Sequence, residues 1–398
     1  MTLLTFNNKY VVTSATAVTT ATSSLVNDTQ ASQTFTLSKS QTVFAVYSAF
    51  CNHNATNAGM EYAIGVDGTD YGLCWDTGYS TNYVCRSNTF WIGTLTAGSH
   101  TVQGRFCSHP NNVTGSISER TMVVVVFDGD EFSYKDVASA VTTTSSAFID
   151  DTGVGDITFT PSDNCYAIYL YNISNAAATE HLAGKKAAIN NSLGTDVSQA
   201  EKSPRNTNLA DSVFTVAYEN LSAAAVTVNG RFASVTNNQT TTIDNRQFGT
   251  LLIASSSAIL LAETTLSDTA TSSASNTLVD DPYLTVTQSL TMPKELLVLG
   301  MATTRSGTTS NNFGSCYGLK INDVDRVKTR TGVYGSTNAG SVGLCWAETV
   351  FTDTVTVQGR ISNNTGSNTA AIDSRKVYAL FFPQVPGVIF SGLGTLKW

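Results

Sequence analysis

Short stretches in which apolar and polar residues alternate recur along this chain, and turn-forming residues separate them. Three alternating stretches occupy similar positions, at Thr34–Leu37, Ile157–Thr160 and Leu284–Thr287. Each precedes a more apolar run, at Val43–Phe50, Tyr166–Tyr171 and Leu296–Met301. Alternation with a period of two is typical of β-strands, and helical periodicity is nearly absent. The pattern therefore predicts an all-β chain, with one helix in the Ala-rich stretch Ala176–Ala188.

A motif of fixed spacing shows that the chain repeats itself three times. Val-Gln/Asn-Gly-Arg is followed by Ile-x-x-Arg, and the two arginines lie 15 residues apart in every copy. The residues concerned are Gly104, Arg105 and Arg120, then Gly230, Arg231 and Arg246, then Gly359, Arg360 and Arg375. The copies are 126 and 129 residues apart, which matches whole domains rather than solenoid units.

Each copy holds about eight short strands, which is typical of a β-sandwich or jelly roll. We expect three tandem jelly-roll domains at residues 1–129, 130–256 and 257–385, with an apolar tail at 386–398. The connections at Asp128–Asp136 and Ala254–Glu263 are short and apolar, so the domains should pack closely.

The recurring glycine and arginines suggest structural roles. A glycine between strand residues indicates a bulge or a close approach of neighbouring chain. In the favoured interpretation each arginine pairs with a carboxylate such as Asp28, Asp150 or Asp280, or donates hydrogen bonds to loop carbonyls. In the alternative, the two arginines of a repeat together form a site for an anion or a glycan carboxylate.

Composition excludes several functional classes. Of 398 residues only 13% are charged, with 22 Lys and Arg against 30 Asp and Glu, while 41% are hydrophobic. This balance is too apolar for a disordered chain, and the absence of basic runs argues against nucleic-acid or anionic-membrane binding. We expect a soluble protein, because the start lacks a secretory signal pattern and no window is long enough for a membrane helix.

The residues from Leu95 to Arg105, followed by Ile-x-x-Arg and an apolar closing strand, resemble domains of bacteriophage virion proteins and environmental viral sequences. Those domains have a jelly-roll fold similar to the tumour-necrosis-factor and C1q type, which usually assembles as trimers. The resemblance covers roughly residues 10–385, although the second and third copies lack the Ala-Gly-Ser-His turn. It implies that the three fused copies form a pseudo-threefold body from one chain, with an assembly role and no catalytic residues.

The cysteines and acids leave several alternatives open. Seven cysteines are unevenly distributed, so free buried thiols, single disulfides (Cys74 with Cys85, or Cys316 with Cys345) and zinc ligation by Cys51-x-His53 and Cys107-x-His109 are all considered. Acidic pairs fall at predicted turns, where Asp forms local hydrogen bonds, and no Ser-His-Asp arrangement recurs. We therefore predict no cofactor, no bound metal and no enzymatic activity.

Two further sets of residues are candidates for binding. The nearly uncharged tail, with Val388, Ile389, Phe390, Leu393 and Trp398, either packs on its own chain or docks on a partner, and Leu3, Leu4 and Phe6 could do the same. Trp75, Tyr79, Tyr83 and Tyr334 either close the ends of the sandwiches or stack on sugars.

The sequence favours a virion structural protein, either a capsid decoration or a fibre-type component of head or tail. It would bind neighbouring capsid or other virion proteins at the virion surface, either as a single chain or as a homo-oligomer. The first alternative is an extracellular or cell-surface adhesin or receptor-binding module that recognises a host glycan. The least favoured is a polysaccharide-degrading enzyme, which would need two acids converging in a cleft.

Overall fold

The computed structural model is built almost entirely of β-strands. It describes residues 1–53, 58–78, 85–109, 113–175, 184–191, 193–202, 212–256, 258–261, 271–273, 277–291, 293–306, 313–333, 339–363 and 370–384. Strands make up 75% of it, and no helix is present in the described part. Nowhere in those ranges is there a helix with the length and apolarity that crossing a bilayer requires. The all-β prediction is confirmed.

The first repeat forms two sheets that we call inner and outer. Its strands are β1 (Thr5–Ser14), β2 (Val18–Thr20), β3 (Val26–Leu37), β4 (Gln41–His53), β5 (Ala58–Val66), β6 (Thr69–Gly78), β7 (Cys85–Leu95), β8 (Gly98–His109) and β9 (Gly115–Asp128). The inner sheet has the order β1-β9-β4-β7 and the outer sheet β3-β8-β5-β6.

The second repeat reproduces this order. Its strands are β10 (Phe132–Val137), β11 (Val141–Thr143), β12 (Ile149–Asp150), β13 (Ile157–Phe159), β14 (Cys165–Ser174), β15 (Lys185–Asn190), β16 (Asp196–Lys202), β17 (Ser212–Leu221), β18 (Val226–Ser234), β19 (Thr241–Ile243) and β20 (Asn245–Ala254). The inner sheet is β10-β20-β14-β17, the outer sheet is β12-β18-β15-β16, and β11 pairs with β19.

The third repeat reproduces it again. Its strands are β21 (Ile259–Leu261), β22 (Thr271–Ser273), β23 (Val279–Ser289), β24 (Lys294–Ser306), β25 (Phe313–Ile321), β26 (Val324–Val333), β27 (Ala339–Val350), β28 (Thr354–Asn363) and β29 (Ala370–Pro383). The inner sheet is β21-β29-β24-β27 and the outer sheet β23-β28-β25-β26.

Local chemistry accounts for the tight turns and for one wrong prediction. Asp67-Gly68 and Asn322-Asp323 join hairpins with positive φ at both residues, as two-residue hairpin turns require. The predicted helix at Ala176–Ala188 is wrong in its described part, because Lys185–Asn190 is strand β15, held between β16 and β18. Pairing on both sides overrides the helical propensity of alanine there; residues 176–183 lie outside the described residues.

The inner sheets are buried on both faces, which explains their long apolar runs. One face of each packs on its own outer sheet, as Tyr47 and Val124 do in the first repeat. The other face enters a single apolar cluster that the three repeats share. Equivalent pairs of residues from the central strands β4, β14 and β24 meet there: Phe44 and Val46, Ile168 and Leu170, and Leu297 and Leu299.

Contacts between repeats run in one direction and close a ring. The edge strand of the first outer sheet, β6, packs on the second inner sheet at β20 and β14. The equivalent β16 packs on β24 and β27 of the third repeat, and β26 packs on β7 of the first. The amino terminus joins this closure: Phe6 stacks on Phe382 with ring centroids 5.1 Å apart, and Leu4 bridges to Ile253.

The body therefore has two distinct ends. At the end we call the turn end, β4, β14 and β24 begin and β9, β20 and β29 finish. It carries the hairpin turns at 67–68, 193–195 and 322–323, together with both termini of the described chain. The opposite end, where β4, β14 and β24 finish, is the loop end.

Candidate functional site

A fully buried arginine–aspartate pair lies between the two sheets of every repeat. Arg120 Nε lies 2.9 Å from Asp28 Oδ2, and Arg246 Nη1 lies 2.9 Å from Asp151 Oδ1. The equivalent arginine of the third repeat, Arg375, contacts Asp281 through Nε at 2.5 Å and Nη2 at 3.1 Å. All six side chains have no solvent exposure. Burial outweighs the neighbouring donors in setting the pKa of the Asp28 carboxyl, which lies above its usual value.

Backbone groups complete these pairs. Arg120 donates to the carbonyls of Ile117 and Thr16, at 2.9 Å and 2.5 Å, and Arg246 donates to the carbonyl of Ser139 at 2.5 Å. Each aspartate also accepts a backbone N–H from two residues further on, as Asp151 does from Gly153 at 2.9 Å. A buried ion pair stabilises a fold only when its remaining polar atoms are satisfied, and these contacts fulfil much of that condition.

The recurring glycine makes room for a buried tyrosine that binds the same aspartate. Tyr47 donates its hydroxyl to Asp28 Oδ2 at 2.8 Å, and Tyr171 donates to Asp151 Oδ2 at 2.8 Å. A Cβ at Gly104 would lie 2.5 Å from the Tyr47 ring, so only glycine fits. In the adjacent strand β3 the register shifts opposite this glycine, where the chain carries Asp28 inward.

In the third repeat the tyrosine comes from the opposite sheet. Gly300 occupies the inner-sheet position of Tyr47 and Tyr171, and Tyr317 on β25 lies against Gly359 instead. Among the described residues the Tyr317 hydroxyl has no hydrogen-bond partner, although it is fully buried near Asp281. Burial and the nearby carboxylate raise the pKa of Tyr317.

The other arginine of each repeat lies on the outward face of the outer sheet. Arg105 contacts Asp70 at 3.4 Å, and Arg231 contacts Asp150 and Asp196, each at 2.9 Å. Arg360 contacts Asp280 and, at 3.2 Å, Asp325. Each also donates to a backbone carbonyl, of Leu25, Phe148 or Leu278. In each repeat one arginine thus lies between the two sheets and the other lies on the outward face of the outer sheet. Each has its own carboxylate partner.

Equivalent positions of the three edge strands meet where the repeats join. With its amide oriented to satisfy both atoms, Asn88 donates to the carbonyl and accepts from the N–H of Gly343, both at 3.0 Å. A Cβ at Gly343 would lie 2.5 Å from the Phe214 ring. Asn88, Phe214 and Gly343 occupy the same position of β7, β17 and β27. The same position of the three edge strands therefore carries three different residues, which fit against one another where the repeats join.

Buried charges also link the repeats. Lys202 of the second repeat lies 2.9 Å from Asp76 of the first, and both side chains are almost completely buried. Lys9 of the first repeat contacts Glu295 of the third, and Lys376 of the third donates to the carbonyl of Val197 in the second. Burial lowers the pKa of Lys9 despite the nearby carboxylate.

The cysteines and histidines of the described ranges do not form a metal-binding cluster. In the described ranges no group of three or more His, Cys, Asp or Glu side chains is arranged to hold a metal ion. Cys345 is a buried free thiol, so the disulfide with Cys316 is not formed, and the side chain of Cys85 lies outside the described residues. Burial raises the pKa of the Cys165 thiol to about 12 and lowers that of His53 to about 4.

The candidate binding residues are only partly within the described structure. Trp75 is half-buried and meets His109 edge to face, with ring centroids 5.1 Å apart. Tyr79, Tyr83 and Tyr334, and the tail residues Val388, Ile389, Phe390, Leu393 and Trp398, lie outside the described residues. At the other terminus, Leu3 and Leu4 are buried against their own chain.

The buried tyrosines were not predicted from the sequence, and two of the buried arginines pair with other acids than expected. It proposed Asp28, Asp150 and Asp280 as partners of the arginines, and these do contact Arg120, Arg231 and Arg360. The buried partners in the second and third repeats are the next acids along, Asp151 and Asp281. The doubled acids Asp150-Asp151 and Asp280-Asp281 were the available signal, because two adjacent strand residues point to opposite faces.

Comparisons with known proteins return only remote likenesses. No protein-family profile and no curated protein sequence matches the chain. Among solved structures, PNGase F of Flavobacterium meningosepticum, described as a glycosylasparaginase, matches with a TM-score of 0.29 and 8% identity over 64% of this chain and 97% of its own. PNGF-II matches with a TM-score of 0.27 and 8% identity over 87% and 100%.

An archaeal virus protein described by its triple jelly-roll fold and turret assembly matches with a TM-score of 0.20 and 11% identity, over 93% of this chain and 91% of its own. Some structural neighbours are thus viral jelly-roll proteins, but no comparison supports the tumour-necrosis-factor and C1q type. The prediction that the chain is not an enzyme is contradicted, because the structures matched include PNGase F, which is described as an N-glycanase and as a glycosylasparaginase. At these TM-scores none of the likenesses carries a function to this chain.

Proposed function

We propose that the chain is a structural protein of a virion, a capsid decoration or fibre-type component that binds neighbouring shell subunits. In this proposal residues 1–129, 130–256 and 257–385 are three tandem jelly-roll domains around a pseudo-threefold axis. The single observation that carries it is the closed ring in which three equivalent inner sheets bury one shared apolar cluster.

The shared cluster supports an assembly role because it makes one rigid block from three modules. Fully buried side chains interdigitate like those of an ordinary core, so the repeats cannot move independently at small cost. The triplicated arginine–aspartate pairs fix each module internally, since breaking such a pair leaves an uncompensated buried charge. A block of this kind suits a subunit that must present fixed surfaces to its neighbours.

The sequence beyond the described chain also supports docking. The last described strand, β29, ends at Pro383 at the turn end, and the following residues 386–398 contain a single charged residue, Lys397. An apolar segment of this kind at the end of a closed body is suited to binding a partner.

The proposal is tested by locating the protein in its native setting. Particles purified from the source of this sequence should contain the chain in fixed stoichiometry with the shell protein, and electron microscopy should show a three-lobed density on the shell. A chain truncated after residue 385 should fold as before and bind the shell more weakly. Absence of the chain from purified particles would refute the proposal.

Glycan binding is kept as a second proposal because of one local arrangement. Trp75 stands directly opposite Glu61 on the outer sheet of the first repeat, and burial raises the pKa of that carboxyl. An aromatic ring beside hydrogen-bonding groups suits a sugar ring. A glycan array probed with the wild type and with Trp75→Ala tests it, and an array without any signal from the wild type would eliminate it.

A further inference from the structure

One position of the strand that carries the repeat motif holds a titratable residue in the first repeat alone. His100 on β8 corresponds to Val226 on β18 and Val355 on β28, since each lies five residues before the first arginine of its repeat. Both valines are buried, and His100 is only 9% exposed. An apolar side chain therefore satisfies the fold at this position, and the histidine needs a separate explanation.

The imidazole of His100 lies between two hydrogen-bond acceptors. Its Nδ1 is 2.7 Å from Asp67 Oδ2, in the turn that joins β5 to β6, and its Nε2 is 2.8 Å from the carbonyl oxygen of Thr96, in the connection from β7 to β8. A neutral imidazole carries one N–H and one lone pair, so it can donate to only one of these oxygens. The imidazolium donates to both, and the geometry therefore fits the protonated form.

The charged group that His100 faces is Asp67. Within the described ranges no second ion pair involves His100, because β3 presents the Phe35 ring, with centroids 6.3 Å apart, and the β7–β8 connection presents the Thr96 carbonyl. The hydrogen bond to Asp67 raises the pKa of His100 against the opposing effect of burial. Partial burial favours a higher pKa for Asp67, but the hydrogen bonds from His100 and from the Thr101 amide outweigh it and hold that pKa below its usual value.

The third repeat builds the same junction without a titratable group. Asn322 takes the place of Asp67, accepts the amide of Thr356 at 2.9 Å through Oδ1, and donates its own side-chain amide to Thr352 Oγ1 at 3.0 Å. Asp67 accepts the equivalent amide, that of Thr101, at 2.8 Å. A side-chain amide both donates and accepts at every pH, whereas a carboxylate only accepts. The first repeat therefore uses the protonated histidine to complete its junction.

We propose that His100 forms a pH-dependent clasp, defined as its two hydrogen bonds to Asp67 and to Thr96. The imidazolium ties the turn at 67–68 to the β7–β8 connection, and the neutral imidazole holds only one of the two. The folded chain binds this proton more tightly than the unfolded chain. The clasp is therefore complete below about pH 6.5 and is lost as pH rises through the pKa of the folded protein.

The clasp acts next to a strand that joins two repeats. β6 begins directly after the turn, at Thr69, and packs on β14 and β20 of the second repeat. The Gly72 amide on this strand donates to Asp136 Oδ2 of the second repeat at 2.6 Å. Opening the clasp consequently loosens the first repeat beside its junction with the second and leaves the third repeat unchanged. This response to pH is independent of the proposed virion and glycan-binding roles.

Proton NMR of the four histidines measures the clasp directly. His100, identified by the signal that is missing from His100→Val, should titrate above pH 6.5, whereas His53 should titrate near pH 4. Asp67→Asn gives the first repeat the residue of the third and should return the pKa of His100 to about 6.5 or lower. His100→Val should fold like the wild type, because valine occupies the equivalent position of both other repeats.

Amide exchange compares two equivalent hydrogen bonds in one molecule, those of Thr101 and Thr356. The ratio of their exchange rates removes the general acceleration of exchange with pH. From pH 6 to pH 9 the wild-type Thr101 amide should lose protection relative to Thr356, by up to about tenfold for each unit by which the pKa of His100 exceeds 6.5. In His100→Val the ratio should not depend on pH. A pKa of His100 at or below 6.5, the same pKa in Asp67→Asn, or a constant wild-type ratio would each overturn the proposal.

Discussion

Tyr47, Tyr171 and Tyr317 are all buried, so the same substitution can be compared at three positions of one protein. Tyr47 and Tyr171 each donate a hydrogen bond to a buried aspartate, at 2.8 Å in both cases, whereas the Tyr317 hydroxyl has no partner among the described residues. Replacing each by phenylalanine removes one oxygen and keeps the aromatic ring. The rings of Tyr47 and Tyr171 lie against Gly104 and Gly230, whereas the atom of Tyr317 nearest to Gly359 is the hydroxyl oxygen itself. The three substitutions therefore differ mainly in what the hydroxyl contacts.

The expected loss in the free energy of unfolding depends on whether the tyrosine hydroxyl has a charged acceptor. A hydrogen bond to a charged group contributes about 1.5–3 kcal/mol, so Tyr47→Phe and Tyr171→Phe should each lower the free energy of unfolding by about 2 kcal/mol. Asp28 keeps its contact with Arg120 at 2.9 Å, which prevents a larger loss. Tyr317→Phe removes a hydroxyl whose burial is not compensated, so we expect a change within about 0.5 kcal/mol or a small gain in stability.

Equilibrium unfolding in urea measures these differences, followed by tryptophan fluorescence and by far-UV circular dichroism. With an m value of about 4 kcal/mol per molar for a chain of this size, 2 kcal/mol shifts the midpoint by about 0.5 M. Coincident curves from the two probes are required before free energies are compared. Equal losses for all three variants, or the largest loss for Tyr317→Phe, would show that the hydroxyl contacts do not carry the energy assigned to them.

Three other perturbations test separate parts of the description. Gly104→Ala should cost at least about 2 kcal/mol by thermal or urea unfolding, because its Cβ would overlap a ring. Gly65→Ala meets only the flexible stems of Arg105 and Gln103, at 3.1 and 3.2 Å, and should cost less; similar costs would disprove the packing argument. Arg246→Met should destabilise by about 3–5 kcal/mol, since it leaves a buried carboxylate unpaired, and a loss below 1 kcal/mol would contradict this. His53, buried with a pKa of about 4, binds its proton more weakly folded than unfolded, so stability should fall by up to about 3 kcal/mol as pH drops from 7 to 4. His53→Leu should flatten that dependence, whereas replacing His100, whose pKa is raised by Asp67, should not.

The strands could be predicted from the sequence because their pattern of apolar and polar residues reflects which side chains are buried. Val43–Phe50 lies inside β4 and Leu296–Met301 inside β24, and the two-residue turn at Asp67-Gly68 forms as its chemistry requires. The helix at Ala176–Ala188 failed because alanine propensity is weak compared with pairing to two neighbouring strands.

The arrangement of side chains inside each repeat was harder to predict from the sequence. The spacing of Arg105 and Arg120 identified a repeat, yet it did not show that the two side chains lie on opposite faces. Tyr317 occupies the position of Tyr62 in the outer sheet of the first repeat, whereas Tyr47 lies in the inner sheet, so aligning the repeats does not pair Tyr317 with Tyr47. Which tyrosine lies against the repeat glycine becomes visible only in three dimensions.

The stacking of Phe6 on Phe382 brings the two extremities of the described polypeptide together and has a topological consequence. The described ends meet and the modules follow one another cyclically. The packing therefore does not depend on which module comes first in the chain. A circular permutant that opens at the connection near residue 129 and joins the old ends should retain its packed contacts and still fold. An isolated module, by contrast, would expose to water the inner-sheet face that now lies in the common centre, and should aggregate.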